Sequence, residues 1–222
     1  MLTARKLLAE GIGTGFLAIA AIGAGVMAQG LTSDPGLALL ANGIASGLAL
    51  YIIITVMIPV SGGHVNPVIT LTFALRGEFP PGQALAYMAV QICGALIGVA
   101  LVHAMFDQPL LQWSETIRSG WPLWFAEALA TFGLVFVTLG GIAARANVPA
   151  IVGAYVAAGY WFTASSAFTN PAITVARVFT EAPGGLRAAD LPPYLIAEAL
   201  GALAAIALGS WLFLPKTPAQ SN

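Results

Sequence analysis

The chain has 222 residues, of which 59% are apolar and 8% charged, whereas soluble domains carry roughly 25% charged residues. This composition excludes an ordinary soluble domain and indicates that lipid is the solvent around the protein. The net charge of −1 comes without a basic run or an acidic tail, so there is no reason to expect nucleic acid or anionic lipid as a partner. We therefore predict a single membrane domain over residues 1–222.

Six apolar stretches follow one another along the chain, and each exceeds or approaches the roughly 20 residues that a membrane-spanning helix needs. They are rich in Gly, Ala and Ser, which allow helix backbones to approach closely in lipid. The sequence therefore predicts an all-α membrane protein, with spanning helices at residues 7–29, 37–60, 83–106, 121–143, 148–168 and 190–214.

Two connections, residues 61–76 and 169–181, are apolar segments that are too short to span the membrane. Each contains an Asn-Pro pair, at Asn66-Pro67 and at Asn170-Pro171. Asn is a helix-capping residue and Pro is favoured in the first helical turn. Irregular backbone survives at membrane depth only where it is buried in protein or lines a wet cavity. We therefore predict two re-entrant half-helices.

The two halves of the chain, about residues 1–110 and 118–216, resemble each other. Three spans in each half place the two copies in opposite orientations across the membrane, and such inverted repeats form their shared site near the bilayer midplane. Ala9-Glu10 followed by Thr14 in the first half matches Ala126-Glu127 followed by Thr131 in the second, and the two Asn-Pro pairs match each other. Gln91 before Gly94-Ala95 matches Glu198 before Gly201-Ala202.

These motifs resemble those of a known family. The run from Ser61 to Val68, SGGHVNPV, is similar to the first signature loop of the aquaporins, or major intrinsic proteins. The run Asn170-Pro171-Ala172 is similar to the second signature loop, and the similarity covers nearly the whole chain. The resemblance implies the aquaporin fold, a passive channel for small neutral solutes without a cofactor, and a homotetramer with one pore in each subunit.

The resemblance also implies a pore motif at mid-membrane. Two half-helices that meet at their N-termini each present about half a positive charge, which repels cations. The amides of Asn66 and Asn170 can donate hydrogen bonds to a passing oxygen; the alternative is that both residues only cap helices. Val68 replaces the usual Ala, and we expect a small shift in geometry. The motif comprises Asn66, Pro67, Val68, Asn170, Pro171 and Ala172.

The selectivity filter is the largest departure from the family. Most members have an Arg three residues after the second Asn, where this chain has Ile173. The other filter positions implied by the resemblance are Ser46, Ala158 and Ala167, which are small. We therefore predict a wide, uncharged outer filter. A helix register shifted by half a turn would instead bring Tyr160 and Trp161 to the pore wall.

The run from Asn170 to Arg177, NPAITVAR, is similar to bacterial members associated with arsenic-resistance genes. This similarity implies trivalent metalloid hydroxides such as arsenite as solutes, together with glycerol and water. Arsenous acid is neutral at physiological pH and close to glycerol in size. Arg177 lies one turn beyond Ile173 and is a candidate mouth residue that could partly replace the missing charge. We expect it instead at the outer surface or bound to loop carbonyls, outside the pore.

Two acidic residues, Glu10 and Glu127, lie within predicted spans, where an ionisable residue is a functional candidate. The resemblance implies that each carboxylate braces a re-entrant loop, and Glu198 is expected to act similarly. His64 either lines the cytoplasmic mouth or holds its loop in place. Two separated His residues and one Cys do not form a usual zinc site, so no metal site is predicted.

The distribution of Lys and Arg predicts the orientation. With cytoplasmic termini, Arg5, Lys6, Arg76, Arg145 and Lys216 lie inside while Arg118, Arg177 and Arg187 lie outside, in agreement with the positive-inside rule. We predict a multi-pass protein of the cell inner membrane with both termini in the cytoplasm.

Two alternative functions remain at this point. An ordinary water or glycerol facilitator is the alternative within the channel class. A coupled secondary transporter is the other, because such proteins also use inverted repeats and broken helices. Such a transporter usually needs a coupling site of carboxylates, but the acidic residues within the spans of this chain lie at the positions of the family's bracing residues. No segment brings a nucleophile, a base and an orienting group together, so we do not expect an enzyme.

Overall fold

The computed structural model describes residues 2–213, which form eight α-helices and contain no β-strand. Residue 214, the last of the sixth predicted span, and Lys216 lie outside the described residues. The helices are α1 (Ala4–Leu31), α2 (Pro35–Ser61), α3 (Pro67–Leu75), α4 (Pro81–Met105), α5 (Trp121–Ala143), α6 (Val148–Phe162), α7 (Pro171–Ala176) and α8 (Leu191–Leu212).

Five of these helices, α1, α2, α4, α5 and α8, are long and apolar enough to cross a membrane. The helix α6, which corresponds to the fifth predicted span, has 15 residues and is about 22 Å long, whereas the hydrocarbon core of a bilayer is about 30 Å thick. The predicted helical span over 148–168 was therefore wrong at its C-terminal end. Residues 163–170 form a loop with left-handed backbone at Ser166 and Ala167. Most of this loop is buried in protein, where irregular backbone is tolerated at membrane depth.

The two short helices begin at the prolines that the sequence indicated. Asn66 precedes α3, and its side-chain oxygen accepts a hydrogen bond from the backbone N–H of Val68 at 2.9 Å. Asn170 precedes α7 and accepts from the N–H of Ala172 at 3.1 Å. A 3-10 turn, Arg177–Phe179, extends α7. The prediction of two half-helices is thus confirmed.

The helices pack as two equivalent sets of four. In the first set α1 contacts α2 and α4, and in the second α5 contacts α6 and α8. The sets join through α2 and α6 and through the half-helices, since α3 and α7 each contact both α4 and α8. Each half-helix is consequently held by helices from both halves of the chain.

Glycines permit the closest helix crossings. A Cβ atom placed on Gly94 of α4 would collide with the backbone oxygen of Gly11 in α1. In the same way, a Cβ on Gly47 of α2 would lie 2.5 Å from the backbone oxygen of Gly153 in α6. The backbones therefore pack against each other directly, as is typical where small residues drive helix association in lipid.

We predict that Gly94→Ala destabilises the protein by about 1–3 kcal/mol, because the added methyl group forces two backbones apart. The melting temperature of the purified protein in detergent measures this effect. The control is Gly30→Ala in α1, where a Cβ meets no atom within 4 Å. Equal melting temperatures for the two variants would contradict the proposed importance of this crossing.

Candidate functional site

A narrow cavity of about 50 Å³ lies at the junction of the two halves. Since about 10–15 Å³ of such volume holds one water molecule, the cavity has room for a few small molecules. Its wall is mostly apolar, with Leu17, Ala21, Leu50, Ile54, Ile69, Leu134, Val152, Val156, Ala167, Phe168 and Ile173. The polar residues in the wall are Ser46, His64, Asn66, Tyr160, Thr169, Asn170 and Arg177.

The loop residues before the two asparagines have an unusual backbone conformation. Val65 has φ of 43° and Thr169 has φ of 51°, both in the left-handed region. This region is unfavourable for β-branched residues and persists only where neighbouring groups enforce it. The two positions are equivalent in the two halves, so the strain is a symmetric feature of the site.

The asparagine of each half binds the strained residue of the other half. The Nδ2 atom of Asn66 donates to the carbonyl oxygen of Thr169 at 2.8 Å, and Nδ2 of Asn170 donates to that of Val65 at 3.0 Å. A carboxamide nitrogen carries two N–H groups, so each asparagine keeps a second donor. Both residues line the cavity as well as capping a helix.

Buried carboxylates hold the backbone N–H groups of the same strained residues. Glu10 accepts from the N–H of Val65 at 2.6 Å and from that of His64 at 3.0 Å. Glu127 accepts from the N–H groups of Thr169 and Phe168. Both glutamates are fully buried. Each one braces the loop that precedes a half-helix.

A second pair of equivalent residues differs between the halves. Gln91 donates to Oε2 of Glu10 at 2.8 Å and to the hydroxyl of Thr70 in α3 at 3.0 Å. Glu198 instead accepts from the hydroxyl of Thr174 in α7 at 2.6 Å and from the N–H of Asn170 at 3.1 Å. Glu198 thus supports the second loop, whereas Gln91 connects the first half-helix to its bracing carboxylate.

Three of the four residues expected in the filter line the cavity, namely Ser46, Ala167 and Ile173. The fourth assignment, Ala158, was wrong, because its side chain is exposed on the outer surface of α6. Tyr160 lines the cavity instead, with its hydroxyl 3.0 Å from that of Ser46. A filter made only of small or apolar side chains is therefore not what the structure contains.

The error in α6 is one of helix rotation, since two residues correspond to about 200° around the axis. Val152, Val156 and Tyr160 are spaced by four residues and share the face that lines the cavity. Trp161 points away and is half exposed. This spacing alone does not locate Tyr160 in the sequence, because Ala154 and Ala158 are also four residues apart.

The two candidate mouth residues lie in the wall of the same cavity. His64 is buried, with Nδ1 3.2 Å from the hydroxyl of Thr70 and its ring stacked on Phe73. Arg177 donates to the loop carbonyl of Gly184 at 2.9 Å, as expected. Only 3% of Arg177 is exposed, however, and it lines the cavity. The expected position outside the cavity was wrong, because the side chain turns inward from the end of α7 instead of reaching the surface.

The fold and this paired site can be compared with known proteins. The major intrinsic protein family matches residues 1–149. The aquaglyceroporin AqpS of Rhizobium meliloti (strain 1021) is 47% identical over 215 residues, which cover 96% of this chain and 92% of that protein. This chain belongs to the major intrinsic protein family. The major intrinsic proteins are channels and not enzymes.

A more distant relative and a solved structure are also similar to this chain. Nodulin-26 of Glycine max is 28% identical over 220 residues, covering 94% of this chain and 76% of that protein. The X-ray structure of the aquaglyceroporin from Plasmodium falciparum superimposes with a TM-score of 0.73, covering 95% of this chain and 97% of that chain. At 20% identity, the superposition shows that this major intrinsic protein has the aquaglyceroporin fold.

We predict that Glu127→Gln destabilises the protein, because an amide NH₂ group would face one of two backbone N–H donors. A lost hydrogen bond to a charged group costs about 1.5–3 kcal/mol. The melting temperature in detergent measures the loss. Glu78→Gln is the control, since it removes an exposed salt bridge with Arg76 that is worth about 0–1 kcal/mol. An unchanged melting temperature for Glu127→Gln would show that the carboxylate is dispensable.

Proposed function

We propose that the chain forms a single transmembrane channel domain that passively conducts small neutral solutes, including glycerol and metalloid hydroxides such as arsenite besides water. The observation that carries the proposal is the composition of the cavity wall near Tyr160. The hydroxyls of Tyr160 and Ser46 form a polar pair in a wall that also contains apolar Ile173. A polyol-like solute has hydroxyls for the polar pair and a compact body that tolerates apolar contact.

Electrostatics favours neutral solutes over cations. The N-termini of α3 and α7 meet at the two asparagines, and each contributes about half a positive charge. Arg177 adds a full positive charge to the same wall. A cation entering this mostly apolar cavity would lose its hydration and gain no carboxylate, because Glu10 and Glu127 are occupied by loop N–H groups.

The residue at position 173 supports the proposal that solutes larger than water pass. Most of the family places an Arg there, whose guanidinium takes up cross-section and supplies donors. Ile173 supplies neither, so the hydrogen-bonding groups in this part of the wall are the hydroxyls of Ser46 and Tyr160 and the guanidinium of Arg177. The 47% identical relative from Rhizobium meliloti (strain 1021) is named an aquaglyceroporin, which supports the same class of solute for this chain.

A second candidate is an ordinary water or glycerol facilitator that excludes arsenite. The position of Tyr160 favours it, because this aromatic ring occupies space where only small side chains were expected. Comparing the permeabilities of reconstituted vesicles to water, glycerol and arsenite separates the candidates. If arsenite flux equals that of protein-free vesicles, arsenite conduction is excluded and the protein is an ordinary water or glycerol facilitator.

We further propose that the channel lies in the cell inner membrane with both termini cytoplasmic, as the charge distribution suggests. In a Cys93→Ser background, a membrane-impermeant maleimide applied outside cells should label Glu115→Cys but not Glu78→Cys. The reverse pattern would invert the orientation. We also propose a homotetramer by analogy with the family. Native mass spectrometry of the purified protein should show four subunits, and a monomer would exclude this assembly.

We predict that Ile173→Arg lowers the flux of arsenite and glycerol far more than that of water. The new guanidinium would take up cross-section and carry a fixed charge with five donors, while water can pass a narrow polar constriction. The measurement is uptake of the three solutes by vesicles that contain equal amounts of each variant.

The control for this substitution is Ile173→Phe, which reduces the cross-section without adding charge or donors. It should also exclude the larger solutes but should conduct less water than Ile173→Arg. If Ile173→Arg leaves the ratio of arsenite to water permeability unchanged, Ile173 does not lie at the constriction and the arsenite proposal loses its main support.

We predict that Tyr160→Phe lowers arsenite and glycerol flux by about two- to tenfold, the effect of one lost hydrogen bond of about 0.5–1.5 kcal/mol. The ring is retained, so the change isolates the hydroxyl. Tyr51→Phe is the control, because Tyr51 is exposed on the side of α2 away from the cavity. Equal fluxes in both variants would show that the hydroxyl of Tyr160 does not contact the solute.

A further inference from the structure

A second, wider cavity of about 440 Å³ adjoins the narrow one, and we call it the vestibule. Tyr160, Phe168 and Arg177 line both cavities, so the vestibule opens directly onto the narrow passage. Its wall also includes the α1–α2 loop at Thr32 and Ser33. Solutes that use the narrow cavity must cross the vestibule at this end.

Two guanidinium groups lie in the wall of the vestibule. The guanidinium carbon of Arg177 is 4.1 Å from the ring centroid of Phe168, and that of Arg118 is 5.1 Å from the same centroid. Two positive charges are therefore held against one aromatic side chain. The other polar side chains that line the vestibule are neutral, so its wall carries net positive charge.

Neither guanidinium has its full set of partners among residues 2–213. Arg177 donates to the carbonyl of Gly184 at 2.9 Å and Arg118 to that of Ser165 at 3.2 Å, although each guanidinium has five N–H groups. The Nε atoms of both are buried without a hydrogen-bond partner. Arg177 itself is 97% shielded from solvent, since its exposure is 3%.

Two carboxylates next to vestibule residues, those of Glu127 and Asp190, have hydrogen-bond partners of their own. Glu127 accepts from the N–H groups of Phe168 and Thr169. Asp190 forms a salt bridge with Arg187 at 3.0 Å and accepts from the backbone N–H of Arg118 at 2.9 Å. No salt bridge to the guanidinium of Arg118 or Arg177 occurs within the described chain. Buried charges in proteins are normally paired, but the buried guanidinium of Arg177 forms no salt bridge with a carboxylate among residues 2–213.

We propose that the vestibule binds a small oxyanion, with its carboxylate or phosphate oxygens held by Arg118 and Arg177. The planar guanidinium matches the geometry of both groups and can bind them through two parallel hydrogen bonds. The bound anion neutralises the repulsion between the two arginines and accepts from their unsatisfied N–H groups. It also lies across the route into the narrow cavity.

The first test is anion binding to the purified full chain in detergent, with sodium phosphate and sodium acetate as separate probes. Sodium chloride at equal ionic strength corrects for screening. At least one probe should raise the melting temperature saturably, by about 2–4 °C. A rise that chloride reproduces would overturn the proposal. Because lipid is absent from this experiment, saturable stabilisation identifies a free anion rather than a lipid headgroup as a sufficient ligand.

Variants assign the effect to the vestibule. Arg118→Gln should weaken the apparent affinity for the probe by about tenfold or more. Arg177→Lys keeps the charge at the more buried position but loses the paired geometry, and it should also weaken binding. Arg5→Gln is the matched control, because Arg5 is exposed near the start of α1 and does not line the vestibule, so this variant should bind as the unmodified protein does. Equal affinity in Arg118→Gln and Arg5→Gln would overturn the site.

The second test concerns flux and rests on the proposed channel function. Phosphate or acetate outside vesicles should lower glycerol flux in the unmodified protein and in Arg5→Gln but not in Arg118→Gln. Saturable binding with unchanged flux would overturn the obstruction while retaining the site. The binding test uses no transport, so a protein that conducts no glycerol would refute the channel function without removing the evidence for the anion site.

Discussion

The structure depends on holding two strained loops at membrane depth, where water cannot satisfy backbone groups. Val65 and Thr169 adopt a left-handed conformation that costs of order 1–3 kcal/mol each. Buried Glu10 and Glu127 bind their N–H groups, and the asparagine of the opposite half binds their carbonyls. These four contacts fix where each half-helix begins and hold the asparagine amides beside the cavity.

Three regions along one passage differ in the groups that a solute meets. The centre has amide donors and helix N-termini, which act through charge and orientation. The region near Tyr160 has hydroxyls within an apolar wall, which act through shape and a few hydrogen bonds. The adjoining vestibule has two guanidiniums around Phe168, which act over a longer range on charged species. The positive charge at the centre and in the vestibule therefore opposes the passage of cations.

Much of this architecture could be predicted because its signals are local. Asn66-Pro67 and Asn170-Pro171 specify helix starts through their own backbone chemistry, and the repeated Ala-Glu pairs mark equivalent helix positions. The rotation of α6 could not be read in the same way, because lipid-facing and protein-facing residues are both apolar in a membrane helix. Ala158 and Tyr160 are equally plausible wall residues by composition. Their places are decided by packing, in which Gly153 of α6 lies directly against Gly47 of α2.

The crosswise asparagine contacts also impose an order of events during synthesis. Asn66 and the carbonyl of Thr169 that it binds are separated by 103 residues. At about 5–20 residues per second, the ribosome needs about 5–20 s to produce the second partner after the first. Throughout that delay the loop around Val65 has Glu10 but no asparagine from the other half. The crosswise contacts that complete the centre can therefore form only after the second half of the chain has been made.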